Sequence, residues 1–205
     1  LARDPLTIQD VLASRMISYP LKKFDCCLVT DAGGAIVLTT AERAKDCRSR
    51  PIQVLGFGEA TDHSVISEMP DLTTGPGTLS AARAFSMAGL KPSDVDVAQV
   101  YDSFTYTVLA SLEDIGFCKK GEGGAFVSGQ RTAPGGAFPL NTSGGGLSYT
   151  HPGMFGIFTL IESVRQLRHS YCDEDGRQVP DAEIALAHGT GGVLSTAGTV
   201  LLARG

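Results

Sequence analysis

The sequence predicts a layered α/β fold built around a mixed sheet. From residue 52 onward, short apolar runs typical of buried strands alternate with segments whose apolar residues recur at helical spacing. The chain closes on two strand-like segments joined by glycines, which indicates an antiparallel pair. Residues 1–45 do not follow this alternation. We therefore expect 46–205 to form one domain and 1–45 to be the tail of a preceding one.

The N-terminal segment is expected to contain one helix and one strand. Thr7 is a favoured N-cap residue, and the apolar residues that follow it recur at helical spacing as far as Met16. The sequence Asp31-Ala32-Gly33-Gly34 has the composition of a turn. The apolar run 35–38 that follows is short enough to be a buried strand.

The remaining elements follow from apolar runs and from the glycines that end them. Strands are expected at 52–57, 95–100, 183–187 and 196–203. Helices are expected at 79–88 and 104–115, ending at Gly89 and Gly116, and from Pro152 to about residue 168. The glycine-rich stretch 117–149 and the polar segment 172–180 are predicted to be loops. A loop as long as 117–149 within a compact domain usually has a function.

Composition and charge exclude several classes of function. The net charge is −5 and no Lys/Arg-rich run is present, which argues against nucleic acid and anionic membrane surfaces as partners. No apolar stretch approaches the roughly 20 residues that span a bilayer, and no signal-peptide pattern is found. The five cysteines lack CxxC spacing, which predicts a reduced, cytoplasmic protein with no metal site. Because the chain starts at Leu1 without Met, we expect it to be part of a longer protein.

Three polar segments are predicted to meet at one edge of the sheet. Tyr101-Asp102-Ser103-Phe104 follows one strand, His188-Gly189-Thr190-Gly191-Gly192 follows another, and His151-Pro152-Gly153 lies where a glycine loop enters a helix. In open α/β sheets, ligands bind outside the carboxyl ends of the strands. We therefore expect these segments to form the functional site.

His151 is the strongest catalytic candidate. A ring beside the first turn of a helix experiences the positive end of the helix dipole, which disfavours the imidazolium form. A neutral imidazole can donate a hydrogen bond to a developing oxyanion or exchange a proton. The alternative is a histidine that only satisfies the end of the helix.

Tyr101 and His188 are further catalytic candidates. Tyr101 can donate a phenolic hydrogen bond, although it could also be an interfacial residue that packs its ring in the core. His188 precedes glycines whose amides could bind an anion, although it could also simply hold that loop in place. Asp102 is interpreted as a helix cap or a structural acceptor rather than a catalyst, and His63 and His169 as surface residues.

At these residues the sequence resembles the thiolase superfamily, and especially its sterol-carrier-protein-2-type branch. The segment Asn141-Thr142-Ser143-Gly144-Gly145-Gly146, with His151-Pro152 and Gly156 after it, is similar to the family's N-x-x-G-G…G-H-P-x-G-x-x-G block. Tyr101-Asp102-Ser103-Phe104 stands where the family has Asn-Glu-x-Phe, or His-Asp-x-Phe in that branch. The Gly189-Thr190-Gly191-Gly192 segment resembles the terminal C-x-G-x-G block. The similarity extends over essentially the whole chain.

The resemblance implies the C-terminal half of a thiolase fold, with a mixed five-stranded sheet and 1–45 belonging to the N-terminal thiolase domain. It also implies a coenzyme A thioester as substrate, no permanently bound cofactor, and an oligomer. That oligomer would be a homodimer or a hetero-oligomer that includes a small OB-fold partner. By the resemblance, His151 and the Tyr101 position stabilise a thioester enolate. The residues implied to bind substrate are Asn141, Gly145, Gly189 and Gly191.

The sequence departs from the family pattern in ways that leave three functions open. The half that would carry the nucleophilic cysteine is not among these residues, so the chain alone is expected to be inactive. Aligned on the glycines, the second catalytic cysteine falls at Ala187, and alanine transfers no proton. His188 or Tyr101 would then have to replace the missing base. The leading hypothesis is a thiolase-type acyltransferase that forms or cleaves β-ketoacyl-CoA. The alternatives are a thiolase-like retro-aldolase that cleaves a β-hydroxyacyl-CoA with a steroid side chain, and a non-catalytic thiolase-like subunit.

Overall fold

The computed structural model describes residues 4–171 and 176–205, and its central element is a mixed four-stranded sheet. In chain order the helices and strands are α1 Ile8–Ala13, β1 Met16–Ser18, β2 Leu21–Lys22, α2 Ala41–Ala44, β3 Ile52–Thr61, α3 Gly77–Ala88, β4 Val97–Val100, α4 Thr105–Ile115, α5 Gly123–Val127, α6 Gly156–Leu167, β5 Ile184–Gly191 and β6 Thr196–Arg204. The order in the sheet is β3–β6–β5–β4. Strand β6 is antiparallel to both of its neighbours, whereas β4 is parallel to β5. The predicted layered α/β class is therefore confirmed.

The sheet has four strands in the described residues rather than the expected five. Beyond β4, a single parallel bridge joins Ala98 to Leu140. The ladder stops there because Asn141 has a φ of 49°, which takes the chain out of the extended conformation, and because Pro139 has no N–H to donate. Strands β1 and β2 form a separate two-stranded sheet.

Helices cover both faces of the sheet. On one face, α3 and α4 pack around a core that includes Ala84, Leu112 and Leu186, and we call this the α3/α4 face. On the other, α6 packs around Leu167 and Ala185, and we call this the α6 face. Ala185 and Leu186 belong to different cores because consecutive side chains of a strand point to opposite sides.

Glycines end two helices as predicted, but the start of α6 differs from the prediction. Gly89 and Gly116 follow α3 and α4 with φ values of 68° and 92°, a left-handed conformation that glycine adopts without steric cost. The third helix was expected from Pro152 and instead begins at Gly156. Gly153 has a φ of 81°, which is incompatible with a helix through this position.

The closing strand pair is longer than expected. Strand β5 continues through Gly191, so Gly189 pairs with Gly198 and Gly191 with Thr196 of β6. The turn lies at 192–195, where Gly192 has a φ of 60°. The prediction of a loop was therefore wrong for residues 189–191, which continue the ladder with β6, and right for Gly192, which lies in the turn.

The N-terminal segment matches its predicted helix but not its predicted strand. Thr7 caps α1 in a capping box with Asp10. The run 35–38 forms no strand, and the side chains of Val37 and Leu38 are 91% and 80% exposed. An apolar run becomes a buried strand only where another element covers it, and none of the described residues does so here. The domain boundary near residue 46 stays a prediction.

The two predicted loops are only partly irregular. The stretch 117–149 contains α5 and ends in a π-helical turn, Gly145–Tyr149. Of the segment 172–180, residues 172–175 lie outside the described residues. No helix in the described part of the chain is long and apolar enough to cross a bilayer.

Candidate functional site

The structure brings Tyr101 and His151 together on the α6 face of the sheet. Tyr101 directly follows β4, and its backbone N–H donates to the carbonyl of His188, 3.0 Å away. A hydrogen bond of 2.9 Å joins Tyr101 Oη to His151 Nε2, with the two rings edge to face. Phe155 packs against both rings and is buried. Two of the three predicted catalytic side chains are therefore in direct contact.

Both side chains of this pair are neutral near pH 7. Partial burial lowers the pKa of His151 below its ordinary value. Burial likewise raises the pKa of the Tyr101 phenol, so the phenol keeps its proton. The pKa of His151 is lowered, as a neutral imidazole requires, but the cause of the shift is desolvation. The helix dipole does not explain it, because α6 begins five residues after His151.

The carboxylate of Asp102 accepts hydrogen bonds from the glycine turn next to His151. The backbone N–H of Gly146 donates to Asp102 Oδ1 at 2.6 Å and that of Leu147 to Oδ2 at 3.2 Å. Burial raises the pKa of Asp102 to about 6, although these two amide donors act in the opposite direction. Asp102 is thus a structural acceptor, as predicted. It occupies amides that could otherwise have faced a substrate.

Glycine is required in this turn. Gly145 has a φ of 61°, and a Cβ added there would lie 2.1 Å from Asp102 Oδ2. Its N–H donates to Ser143 Oγ at 3.2 Å. A Cβ at Gly146 would lie 3.0 Å from Cδ2 of His151. These glycines let the turn approach Asp102 and His151 closely, while contact of Gly145 with substrate stays a prediction.

Asn141 fixes the end of β4. Its side-chain oxygen accepts a hydrogen bond of 2.8 Å from the backbone N–H of Val100, the residue before Tyr101. Its own N–H donates to the carbonyl of Ala98 at 3.0 Å. Asn141 therefore helps to set where Tyr101 leaves the sheet, and its contact with substrate stays a prediction.

His188 does not join the pair, contrary to the expected convergence of three segments. It belongs to β5 and pairs with Val100, so its side chain points to the α3/α4 face, while that of Ala187 points to the α6 face, as a Cβ added at Gly189 would. The ring is 0% exposed, and its Nδ1 lies 2.9 Å from Thr199 Oγ1. Burial lowers its pKa to about 4. His188 lies apart from Tyr101 and His151 because side chains alternate between the two faces of a strand. The sequence analysis ended this strand at residue 187 and so did not apply the alternation to His188.

Gly189 and Gly191 lie in the sheet rather than in an anion-binding loop. Gly189 is close to the start of α6, where an added Cβ would come 3.9 Å from the Cα of Gly156. It thus lies on the same face as His151. Because both glycines pair with β6, the expected nest of amides is not formed by them. Their predicted contacts with substrate remain untested.

The N-terminal segment contributes to the site, which the sequence analysis did not anticipate. The N–H of Cys27 donates to the carbonyl of Ser103 at 3.0 Å, and that of Leu28 to the carbonyl of Gly146 at 2.9 Å. Thr30 Oγ1 accepts from the backbone N–H of His151 at 2.9 Å and lies 2.7 Å from Thr150 Oγ1. Residues 27–30 therefore lie between the Tyr101 and His151 segments. No hydrophobic periodicity marks this irregular strip.

Among the residues that the structure describes, Cys27 and the other histidines add no reactive group to the site. Burial raises the pKa of the Cys27 thiol, which keeps it protonated. His63 was expected at the surface but is buried, with Asp62 on Nδ1 and the carbonyl of Val193 3.3 Å from Nε2. His169 is partly buried and lies beside Arg204.

Comparison with known proteins identifies the relatives of this chain. The family described as thiolase C-terminal domain-like matches residues 58–204. An acetyl-CoA acetyltransferase of Methanothermobacter thermautotrophicus is 35% identical over 97% of this chain and 52% of its own length. A 17-hydroxy-3-oxo-4-pregnene-20-carboxyl-CoA lyase of Mycobacterium tuberculosis is 40% identical over 80% of this chain and 43% of its own.

A solved structure shows the same fold. The Ltp2-ChsH2(DUF35) aldolase superposes with a TM-score of 0.87 at 30% identity, over 98% of this chain and 52% of that one. The chain thus spans about half the length of the relatives it matches. The predicted resemblance and fold class are confirmed.

Proposed function

The chain belongs to the thiolase C-terminal domain-like family, and on that premise we propose that the full-length protein cleaves a carbon–carbon bond beside a coenzyme A thioester. The observation that carries the proposal is the 2.9 Å contact between His151 Nε2 and Tyr101 Oη. Two neutral groups this close can both reach one oxygen atom. A thioester oxygen that gains negative charge as the bond breaks is such an atom.

His151 and Tyr101 act as donors to the enolate oxygen. In the structure one of the two groups donates to the other, and when a thioester oxygen enters and Nε2 carries the imidazole proton, both groups donate to that oxygen instead. The phenol keeps its proton because burial raises its pKa, and desolvation keeps the imidazole neutral. Each preorganised donor in a site shielded from water contributes roughly 3–4 kcal/mol to stabilising the transition state.

We propose retro-aldol cleavage of a β-hydroxyacyl-CoA as the reaction. A base removes the β-hydroxyl proton, the Cα–Cβ bond breaks, and the β-carbon becomes a carbonyl. The electron pair passes to the thioester as an enolate, which then takes a proton at Cα. Two observations favour this reaction over acyl transfer. The family position of the second catalytic cysteine is a buried methyl group, Ala187, and His188 points away from it to the other face of the sheet.

The second candidate is thiolase-type acyl transfer, by Claisen condensation or thiolytic cleavage of a β-ketoacyl-CoA. The similarity to an acetyl-CoA acetyltransferase over nearly the whole chain favours it. It needs a nucleophilic cysteine from the other half of the protein and a base in place of the missing cysteine. Retro-aldol cleavage and acyl transfer both pass through the same enolate, so the donor pair serves either one.

Partners and location are part of the proposal. The name of the solved relative pairs an aldolase with a DUF35 protein, and we propose a hetero-oligomer with a small partner of that kind. We propose a steroid side chain as the acyl group, after the name of the Mycobacterium relative. Four free cysteines in the described residues, Cys26, Cys27, Cys47 and Cys118, suit a cytoplasmic enzyme.

The dependence on free coenzyme A tests the proposal. The full-length protein, with and without its partner, is incubated with a β-hydroxyacyl-CoA or with a β-ketoacyl-CoA, and the products are identified by mass spectrometry. Retro-aldol cleavage gives a ketone or aldehyde and a shortened acyl-CoA without added coenzyme A. Product only from the β-ketoacyl substrate, and only with added coenzyme A, would establish acyl transfer instead. Absence of both products would exclude both candidates.

A further inference from the structure

A buried polar network lies behind the site, and its centre is the hydroxyl of Thr142. Thr142 follows Asn141 at the start of the glycine turn. Its Oγ1 donates to Glu162 Oε1 at 2.5 Å and accepts from the side-chain amides of Gln99 and Gln166, each at 3.0 Å. A hydroxyl has one proton and two lone pairs, so all of its hydrogen-bonding capacity is used. One atom thus joins β4, α6 and the glycine turn.

Glu162 supplies the charge of this network. Its carboxylate is buried and accepts from Arg177 Nη2 at 2.5 Å, Arg177 Nε at 3.2 Å and Tyr171 Oη at 2.5 Å. Burial alone would raise its pKa, but the hydrogen bonds from Arg177, Thr142 and Tyr171 hold the pKa below its ordinary value. A buried ion pair adds little net stability compared with an apolar replacement, although it can specify one conformation.

The network reaches the reactive pair through short backbone links. Gln99 lies two residues before Tyr101 on β4, and Asn141, next to Thr142, holds the N–H of Val100. On the other side, the turn that starts at Asn141 continues through Gly146, which lies against the His151 ring. Both reactive side chains therefore follow segments that meet at the Thr142 hydroxyl.

We propose that Thr142 and Glu162 are positioning residues, which hold the β4 end and the glycine turn in the register that places Tyr101 Oη against His151 Nε2. They touch neither reacting group and act through Asn141, Gly146 and the strand end. The proposal rests on the proposed function for its kinetic consequence. The geometry of the His151 ring tests it independently.

The test compares Thr142→Val with Thr142→Ser in the full-length protein. Valine has nearly the shape of threonine but leaves Gln99, Gln166 and Glu162 without their shared partner, whereas serine keeps the hydroxyl. We expect Thr142→Val to lower kcat by about tenfold or more with KM nearly unchanged, because small misplacements of reacting groups are costly. Thr142→Ser should keep most of the wild-type kcat. Glu162→Gln, which keeps the shape but removes the charge, should fall between the two.

A spectroscopic readout separates positioning from packing. The pKa and tautomer of His151 are followed by NMR on protein labelled at histidine, with the signal assigned by its loss in His151→Gln. We expect the His151 titration to shift in Thr142→Val and to return in Thr142→Ser. The matched control is Ser163→Ala, which removes a buried hydroxyl on α6 that donates to the carbonyl of Thr159 in its own helix. It should change neither kcat nor the titration.

Three results would overturn the proposal. These are wild-type kcat in folded Thr142→Val, equal losses of activity in the valine and serine variants, or an unchanged His151 titration in both Thr142→Val and Glu162→Gln. If the wild-type protein cleaves neither thioester, the proposed function fails while the titration still decides the positioning role. If Thr142→Val does not fold, Glu162→Gln provides the same comparison.

Discussion

Two histidines lie on opposite faces of the same sheet and differ in their exposure and in their partners. His151 is only partly buried, and its Nε2 contacts the Tyr101 hydroxyl. His188 is wholly enclosed between the sheet and the α3/α4 layer, with Thr199 on its Nδ1. Burial lowers the pKa of both rings, and lowers that of His188 to about 4.

The difference teaches that a polar residue at a strand end is not by itself a catalytic group. Val100 and His188 are partners in a parallel ladder, so Tyr101 leaves the sheet one position later and points to the other side. One residue of register decides whether a side chain enters the site or the core. We therefore expect His151 to govern turnover and His188 to govern stability.

The largest expected effect is on turnover in His151→Ala. Removing the imidazole deletes one donor to the enolate and leaves Tyr101 without its partner, so kcat should fall by about 10³-fold. Stability should change little, because the ring is partly exposed. Steady-state kinetics and thermal unfolding of the full-length protein measure the two quantities. A kcat close to that of the wild type would remove His151 from the mechanism.

His188→Gln should show the reverse pattern. The folded pKa of His188 is about 4 and the ordinary value is 6.5, so the unfolded chain binds more protons between these pH values. The contribution to stability is therefore complete above pH 6.5 and is lost as the pH falls toward 4, with a magnitude of about 3 kcal/mol. In His188→Gln this acid-dependent loss should disappear, while kcat at pH 7 changes by less than about threefold.

Urea unfolding at several pH values between 4 and 7 measures this contribution. The informative quantity is the difference between variant and wild type, because other carboxylates titrate in both. A difference that is constant with pH would mean that the His188 ring has the same pKa in the folded and unfolded states, so that burial does not lower it. A collapse of kcat in a stably folded variant would return His188 to the list of catalytic residues.

Asp102→Asn should change the pH dependence of stability in the direction opposite to that of His188→Gln. Burial raises the folded pKa of Asp102 to about 6 from 3.8, so the folded state holds the proton more tightly. Its contribution to stability is present below pH 3.8 and is lost as the pH rises through 6, by about 3 kcal/mol. Relative to the wild type, Asp102→Asn should therefore gain stability as the pH rises from 4 to 6.

The absolute stability of Asp102→Asn should still fall. An asparagine offers one acceptor oxygen where the amides of Gly146 and Leu147 now use two. The same urea series measures both effects, and His188→Gln, whose difference runs the other way, serves as its control. The two variants should differ from the wild type with opposite slopes of stability against pH. Slopes of the same sign would mean that the direction of one of the two pKa shifts is wrong.

The sequence was sufficient for the parts of the fold that local chemistry decides. The capping box at Thr7 and the glycines after α3 and α4 each satisfy a backbone requirement that a single residue type reveals. The Tyr101–His151 pair was also predictable, since both residues lie in motifs that resemble one family. The start of α6 was not, because Pro152 suits the first turn of a helix but the positive φ of Gly153 excludes one.

Other features could not be predicted because they depend on partners distant in sequence. Gly189 and Gly191 have turn-like composition, yet pairing with β6 keeps them in a strand. The face on which His188 lies depends on that register. Thr30 reaches His151 across 121 residues of sequence, from a segment with no periodic pattern. The hydroxyl of Thr142 likewise joins residues of β4, α6 and the glycine turn.

The smallest expected effect is on turnover in Tyr101→Phe. The change removes one hydroxyl and keeps the ring that packs against Phe155, so the fold should be unaffected. We expect kcat to fall by about tenfold or more, with the roughly 10²- to 10³-fold cost of losing one full oxyanion donor as the upper end. Because the His151 ring also loses its partner on Nε2, the pH–rate profile should shift with the His151 titration.

Phe158→Leu, a change in the same aromatic cluster that removes no donor, is the matched control. If both variants lost activity equally, packing rather than hydrogen bonding would explain the effect. If neither did, Tyr101 would be a core residue, and the α6 face would hold one catalytic donor instead of two.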